Sequence, residues 1–368
     1  MLTVVPVGKT RADAFHAVPR AIYSGRHPHW TPIPRRAEAA LFDLRRNPTL
    51  AHTEVARWVA LQDGTPVGRI AASAPQSPAA TGHFGFFETP DDPAVAGTLL
   101  HAAEGWLRER GRQRVLGPVG ITPRDQIGVL VEGFDRPAAL LTPYNPPYYA
   151  ALLEGAGYRA SVRLRAYAWR PDMVDTRGMI ALGTQITARG DLTLRPLDPD
   201  RLADEAALVA RLLNQAFQHV WGYVPMSEPE ALAIAKNLAP ILDASLCLIA
   251  MRRGEPCGVA LTVPDANWLF RRIGGRWWPT GWLVALLWRR RIPSARFMAL
   301  GVLPGRRAAG TAVQLMLATH RALIAGGYRS AELSQVFDEN QPMRRLLERM
   351  GCQVIKRYAV YERALAAS

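Results

Sequence analysis

The sequence has little lysine for a basic protein of its length. Lys9, Lys236 and Lys356 are the only lysines among 45 basic residues, and the formal net charge over 368 residues is +14. An excess of arginine with abundant alanine, glycine and proline is typical of a GC-rich genome, and the arginines are scattered apart from short clusters. The charge therefore favours attraction of acidic small ligands, and we do not expect nucleic-acid binding.

Cysteine and long hydrophobic runs are also scarce. Cys247, Cys257 and Cys352 are odd in number and lack the spacing of metal ligands, so we expect reduced thiols and no metal site. No apolar run approaches the roughly 20 residues that a membrane-spanning helix needs. The stretch from Met1 to Pro6 lacks the basic and then apolar segments of a signal peptide. These absences predict a cytoplasmic protein.

An internal repeat divides the chain. The pattern Ala-x-x-x-Gly-x-Pro-x-Gly begins at Ala60 and at Ala250, and Leu-Leu-Glu-x-x-Gly begins at Leu152 and at Leu346. A tyrosine follows the second pattern at the same distance in both copies: Tyr167 and Tyr361. Several matches in the same order indicate a duplication. The predicted organisation is a first domain at 1–170, a linker at 171–190, and a second domain at 191–368 with an insertion at 267–293.

A predicted strand that leads into a turn of small residues and then a helix is the clearest functional motif. The turn reads Arg-x-x-Gly-x-Ala, with Arg307, Gly310 and Ala312 at the named places. Small side chains let the first backbone N–H groups of a helix converge on an anion, and the helix dipole favours the same charge. Arg306 and Arg307 add donors suited to phosphate oxygens. The turn predicts a phosphate site, with an ordinary glycine-containing turn as the alternative.

The order of elements around this turn resembles the acyl-CoA-binding core of the GNAT superfamily of N-acetyltransferases. The whole chain resembles tandem GNAT proteins, a bacterial two-repeat group of poorly defined function. The resemblance is carried by His83–Glu88, Val131–Asp135, Pro143–Tyr149 and Leu300–Val302. It implies an α/β fold with mixed sheets, as two GNAT-like acyl-CoA N-acyltransferase domains in tandem. It also implies acetyl-CoA, or another acyl-CoA, as cofactor and a small-molecule amine as acceptor.

The resemblance further implies which residues of the second copy bind the cofactor. They are Leu300, Gly301, Val302, Arg306, Arg307, Ala309, Gly310, Thr311, Ala312 and Asn340. The first copy departs from this pattern, because Glu88, Asp91 and Asp92 precede its helix. Like charges a few Å apart cost on the order of 1 kcal/mol or more each, so these carboxylates would repel a pyrophosphate. We expect a degenerate first domain and one CoA per chain, bound by the second domain.

Acyl transfer to an amine needs a base for the amine and a proton donor for the leaving thiolate. Glu332, on the strand beside the predicted CoA strand, is the first candidate base, and pairing with an arginine is its alternative role. Many GNAT proteins carry a general-acid tyrosine seven residues after the asparagine that Asn340 matches, but Leu347 stands there in this chain. Tyr361 is the candidate substitute, with Tyr358 beside it, and core packing explains either tyrosine equally well.

The insertion at 267–293 holds half of the ten tryptophans, together with several arginines. We interpret it as a lid over the cleft, and docking on a membrane surface or stacking on nucleic-acid bases are the alternatives. Two further functions stay open for the whole chain. One is transfer from aminoacyl-tRNA, by resemblance to transferases that use paired GNAT domains, and the other is acyl-CoA binding without catalysis.

Overall fold

The chain folds into two compact units. The computed structural model describes residues 1–8, 11–76, 80–175, 177, 191–274, 291–305 and 308–365. Unit 1 is drawn from Met1–Leu164, Phe270–Gly281 and Lys356–Ser368, and unit 2 from Arg165–Leu269 and Trp282–Ile355. Most of the predicted linker at 171–190 lies outside the described residues. The expected α/β class is confirmed, since sheets with parallel and antiparallel strands carry helices on their faces.

The first copy of the repeat begins with an antiparallel meander. Its elements are β1 (Leu2–Pro6), α1 (Ala12–Tyr23), α2 (Arg35–Ala40), β2 (Thr53–Gln62), β3 (Thr65–Pro75), β4 (Thr81–Glu88), α3 (Pro93–Arg108), β5 (Arg114–Gly117), β6 (Val129–Glu132), α4 (Tyr149–Gly155) and β7 (Arg159–Trp169). Strands β1 to β4 pair antiparallel in chain order, and β4 pairs with β5 in parallel. Asp63 and Gly64 join β2 to β3 with φ of 50° and 82°, the backbone of a tight hairpin turn.

The second copy repeats this order. Its elements are β8 (Leu192–Pro196), α5 (Leu202–Phe217), α6 (Glu228–Leu238), β9 (Cys247–Arg252), β10 (Glu255–Pro264), α7 (Asn267–Arg272), β11 (Ser294–Val302), α8 (Ala308–Ala325), β12 (Ser330–Phe337), α9 (Gln341–Arg349) and β13 (Gln353–Ala364). Strands β8 to β11 are antiparallel, and β11 pairs with β12 in parallel. Arg253 and Gly254 form the same hairpin turn, with φ of 52° and 85°. No helix among the described residues is long and apolar enough to cross a membrane.

The closing strands of the two copies are exchanged between the units. From Lys356 onward β13 belongs to unit 1, where it pairs antiparallel with β5 and β6, whereas β7 enters unit 2 at Arg165. The repeated tyrosines follow their strands. Tyr361 Oη donates to Glu154 Oε1 at 2.9 Å in unit 1, and Tyr167 Oη donates to Glu348 Oε1 at 3.3 Å in unit 2. The observed units therefore differ from the predicted domains 1–170 and 191–368 at both closing strands.

A β-bulge in β4 changes the faces that its side chains reach. The register with β3 shifts between Arg69 and Ala71, which places an additional residue in β4. Phe84 and Phe87 pack in the core cluster under α3, whereas Phe86, with φ of 49°, packs in the cluster against α1. The bulge thereby brings Glu88 to the α1 side of the sheet, beside Arg69.

Unit 2 has apolar clusters on both faces of its sheet. Phe297, Leu315 and Leu347 belong to the cluster formed with α8 and α9. Leu213 and Val259 belong to the cluster formed with α5. Strand β11 lies between these clusters, so the position of each residue along the strand decides which of the two clusters its side chain joins.

Candidate active site

The parallel pairing of β11 and β12 stops before β11 ends. It covers Ser294 to Phe297 of β11, opposite Ser330 to Leu333 of β12. Strand β11 then continues, paired with β10, as far as Val302. The β12-facing edge of residues 298–302 is thus outside the parallel ladder, and a peptide-like ligand arm can add to such an edge as a strand does.

The residues predicted to bind a cofactor on β11 lie along this edge. Leu300 and Val302 pack at the margin of the cluster under α8 and α9. Gly301 faces the other way, where an added Cβ would lie 2.9 Å from Leu213 Cδ2 and 3.3 Å from Ala216 Cβ. Close packing of α5 against the strand therefore accounts for the glycine, and the edge itself is presented by backbone groups.

Four of the predicted cofactor residues form the beginning of α8. They are Ala309, Gly310, Thr311 and Ala312. The first turn of a helix leaves backbone N–H groups without partners inside the helix, which suits an anion. The Thr311 hydroxyl is already used, since it accepts from Arg252 Nη2 at 2.8 Å while Arg252 Nη1 donates to Asp191 Oδ1 at 3.0 Å. Arg306 and Arg307, the predicted phosphate ligands, lie outside the described residues.

Asn340 caps the helix that follows it. Its Oδ1 accepts from the backbone N–H of Met343 at 3.2 Å, as an N-cap residue does. Leu347, seven residues on, is fully buried in the core of unit 2. The structure thus gives Asn340 a role in its own helix, and cofactor contact by this residue stays a prediction.

Glu332, the candidate base, is buried on the α5 side of β12. Its neighbours Ala331 and Leu333 belong to the opposite cluster, under α8 and α9, so Glu332 and Ser334 share the other face. Glu332 lies opposite Arg296 in the parallel ladder, and both side chains are less than one-tenth exposed. Arg296 Nη2 donates to the Ser334 carbonyl at 3.2 Å. Glu332 therefore lies on the strand next to β11, as the sequence predicted, and the buried guanidinium of Arg296 is its neighbour on β11.

Tyr361 and Glu332 belong to different units. Tyr361 lies opposite Gly117 of β5, its hydroxyl is bound to Glu154, and burial raises its pKa above the usual range. Tyr358, also on β13, is fully buried in unit 1. Tyr361 and Tyr358 lie in unit 1 because β13, the last strand of the second copy, completes the sheet of the first copy. Tyr361 therefore belongs to unit 1, and its catalytic role stays a prediction.

Unit 1 fills the corresponding edge with its own backbone. Its parallel pairing ends at His83, after which the Val119 N–H donates to the Phe84 carbonyl at 2.8 Å. A Cβ at Gly85 would lie 1.5 Å from the Val119 oxygen, so the two chain segments are in direct contact. At the start of α3, Asp92 Oδ1 accepts from the N–H groups of Ala94 and Val95, at 2.8 and 3.4 Å. In unit 1, groups of the chain itself therefore bind both the strand edge and the start of the helix.

Sequence reasoning missed a buried polar cluster in unit 1. Arg69, Glu38 and His16 lie together on the α1 side of the sheet, and Glu88 joins them from β4. The sequence indicated Glu88 only as a charge that repels phosphate. Regular alternation along β4 would put Glu88 on the α3 side of the sheet. The bulge, which leaves no signal in the sequence, brings it instead to Arg69.

These features define the class of fold: two domains of the GNAT type in one chain. A solved structure described as a tandem GNAT protein from the clavulanic acid biosynthesis pathway superimposes with a TM-score of 0.60 at 16% identity, covering 100% of both chains. The resemblance to tandem GNAT proteins is thereby confirmed for the fold.

Two relatives place the chain more closely. It is 33% identical over an alignment of 383 residues to the bacterial ceramide synthase of Caulobacter vibrioides, covering 99% of this chain and 98% of the relative. It is 31% identical to protein YghO of Escherichia coli, covering 98% of this chain and 94% of that protein. The chain belongs to the family of these two proteins. No protein-family model matches it.

Proposed function

We propose that the protein is an acyl-CoA-dependent N-acyltransferase whose cofactor binds unit 2. The observation that carries the proposal is the edge of β11 beyond Phe297, which continues past its parallel partner and leads to the small-residue start of α8. A pantetheine arm is an amide chain and can hydrogen-bond along that edge. The pyrophosphate would then meet the first N–H groups of α8.

The reaction forms one bond and breaks another at the thioester carbon. The amine nitrogen attacks that carbon, its proton passes to a base, and the C–S bond breaks so that CoA leaves as a thiolate. An alkyl ammonium has a pKa near roughly 10, so deprotonation is needed at neutral pH. Glu332 is the residue we propose for this step, directly or through water. Backbone N–H groups of β11 would stabilise the oxyanion that develops on the carbonyl oxygen.

The relative named ceramide synthase bears on the acceptor. A ceramide is a long-chain amino alcohol acylated at nitrogen, and this relative matches nearly the whole chain. We propose a long-chain amino alcohol as the acceptor and a fatty acyl-CoA as the donor. This choice differs from the acetyl transfer expected from the sequence, so the two are tested against each other.

Thiol release tests the proposal directly. Purified protein is incubated with acetyl-CoA or palmitoyl-CoA, with sphinganine or ethanolamine as the amine, and free CoA and N-acylated product are measured. We expect release only when palmitoyl-CoA and sphinganine are combined. Release from acetyl-CoA with ethanolamine would favour the small-substrate reading. Binding of palmitoyl-CoA with no release for any amine would contradict catalysis and favour a binding protein.

A further inference from the structure

Unit 1 contains a cluster of buried charged side chains. On the α1 side of its sheet, Arg69 is 4% exposed and Glu38 is 6% exposed, and the side chain of His16 is 5% exposed. Desolvation of such ions costs several kcal/mol each, so apolar residues of similar volume often stabilise a core equally well or better. Buried groups that perturb one another are concentrated at functional sites. The cluster is outside the proposed CoA site, which lies in unit 2.

The carboxylate of Glu38 is neutralised inside the cluster. Arg69 Nη2 lies 2.8 Å from its Oε1, and the His16 ring contacts its Oε2. Against the effect of burial, these two partners lower the pKa of Glu38 to about 2. Arg69 also donates to the Phe15 carbonyl and lies 4.7 Å over the Phe15 ring. Glu38 and Arg69 are therefore an ion pair fixed by structure.

Glu88 is bound differently. Tyr23 and Tyr149 both donate to its Oε2, Tyr149 at 2.8 Å, and these are the hydrogen bonds to its carboxylate within the described part of the chain. Arg69 lies 3.8 Å from Oε1, which is beyond hydrogen-bond distance. A carboxylate has about four acceptor positions, so neutral hydroxyls on one oxygen leave room on the other. Burial raises the pKa of Glu88 more than Arg69 lowers it.

Glu88 is also the member of the cluster that reaches solvent. Its side chain is 16% exposed, compared with 7% for Glu38. Aromatic rings surround its hydrogen-bond partner Tyr23, which stacks on Trp30 with centroids 5.0 Å apart and packs against Tyr144 at 6.5 Å. Trp30 and Tyr144 are partly exposed. A carboxylate bordered by aromatic rings is a characteristic setting for an ammonium group.

The surroundings of Glu88 select a cation over an anion. Asp91 follows it closely in the chain, and the N–H groups at the start of α3 are already bound by Asp92. An added cation could approach Glu88 more closely than Arg69 does at 3.8 Å, as Arg69 itself approaches Glu38 at 2.8 Å. The tyrosines at 23 and 149 hold the carboxylate in one orientation, so they are positioning residues.

We propose that Glu88, held by Tyr23 and Tyr149, is a first binding site in unit 1 for the primary ammonium group of the long-chain acceptor, which leaves this site before it is deprotonated at Glu332. The inference rests on the proposed function in that it takes the acceptor to be an amine. It assigns the first copy of the repeat to recognition of the amine and the second copy to the acyl-CoA.

Binding to the full chain without acyl-CoA tests this. Sphinganine and N-acetylsphinganine are presented in the same neutral detergent micelles, and affinities are measured by calorimetry. We expect sphinganine to bind at least tenfold more tightly than N-acetylsphinganine, which has no ammonium group. Glu88→Gln should abolish that preference and leave palmitoyl-CoA affinity unchanged. Tyr149→Phe should reduce the preference less, because the carboxylate is retained.

Glu104→Gln is the matched control. Glu104 is another buried carboxylate of unit 1, 2% exposed, and it accepts from the Tyr158 hydroxyl at 2.8 Å on the α3 side of the sheet. This variant should keep the preference for sphinganine. An equal loss in both variants, or an unchanged preference in Glu88→Gln, would overturn the proposal.

A measurement on the unmodified protein covers the case in which Glu88→Gln does not fold. Sphinganine should slow hydrogen exchange of the Thr89 amide, which donates to the Tyr149 hydroxyl at 3.1 Å. Protection confined to unit 2 would overturn the proposal. Because the measurements of amine binding contain no acyl-CoA, a failure of thiol release with sphinganine binding intact would contradict only the proposed function.

Discussion

Unit 1 and unit 2 share an order of strands but use the same edge of the sheet in opposite ways. In unit 1, the backbone after β5 turns onto β4, with Val119 bonded to Phe84. In unit 2, β11 continues beyond its parallel pairing with β12, so the β12-facing edge of residues 298–302 is outside that ladder. The difference lies in a short loop and not in the sheet. A duplicated fold therefore does not imply a duplicated site.

The helices that follow these strands differ in the same sense. Asp92 binds the first N–H groups of α3, while α8 begins with small residues. A carboxylate of the chain thus stands in unit 1 where a phosphate would stand in unit 2. The comparison supports our proposal that acyl-CoA binds unit 2, and changes in both units sharpen it, beginning with the largest expected effect.

Glu332→Gln should lower turnover by about 10²- to 10⁴-fold, the range for loss of a general base. Affinity for palmitoyl-CoA should change little, because the side chain acts on the amine. The defect should shrink as the pH rises toward roughly 10, where the amine is already neutral. Turnover against pH and calorimetry provide the measurements. A loss of acyl-CoA binding would instead make Glu332 a structural partner of Arg296.

Glu38→Gln should change the acid stability of unit 1. The pKa of Glu38 is lowered from 4.5 to about 2 in the folded protein, so its stabilisation is present above pH 4.5 and is lost as the pH falls toward 2. Linkage makes this loss about 3 kcal/mol. The variant should lose less stability than the natural protein between pH 6 and pH 3, as measured by urea unfolding.

The control for this change is Glu54→Gln. Glu54 also pairs with an arginine, Arg110, but its side chain is 54% exposed. It should leave the acid dependence unchanged, because water screens exposed pairs. The same acid dependence in natural protein and Glu38→Gln would show that another carboxylate carries the effect.

Gly310→Glu should weaken palmitoyl-CoA binding by about 5- to 150-fold, equivalent to roughly 1–3 kcal/mol, because a carboxylate then competes with the phosphate. Arg307→Ala should act in the same direction. Calorimetry on the natural protein should return one acyl-CoA per chain. Two equivalent sites would contradict the assignment of acyl-CoA to one unit. An affinity loss from a change at Asp92 alone would move the site to unit 1.

Asp92→Ala should have the smallest effect. Loss of an N-cap costs about 1 kcal/mol, so the melting temperature should fall by a few degrees while acyl-CoA affinity stays constant. Asp92→Asn is the control, since its side-chain oxygen still caps α3 without the charge. If Asp92→Asn created a second acyl-CoA site, charge alone would explain why unit 1 does not bind acyl-CoA. The backbone contact at Val119 would then not be the reason.

Local chemistry made much of this fold predictable. The turns at Asp63 and Arg253 and the cap at Asp92 each depend on only a few neighbouring residues. The repeated letters also identified a duplication. Such features are specified within a dozen residues, so a single sequence is enough to locate them.

Features that depend on distant pairing were not predictable. Tyr361 was assigned to the second copy by its position in the chain, but strand pairing with β5 places it in unit 1. Thr311 and Asn340 fit a cofactor pattern, yet a distant arginine binds the first and the second caps its own helix. The position of Glu88 depends on a bulge. In each case the deciding partner lies outside the local pattern.

The exchange of closing strands sets an order of events during synthesis. Unit 1 requires β13, and Leu164 and Lys356 are roughly 190 residues apart in the chain. At about 5–20 residues per second, the ribosome needs roughly 10 to 40 s to supply that last strand. Until then, β5 presents an unpaired edge. The sheet of unit 1 is therefore completed only after the second copy has been synthesised, so the first copy alone lacks one of the strands of its own sheet.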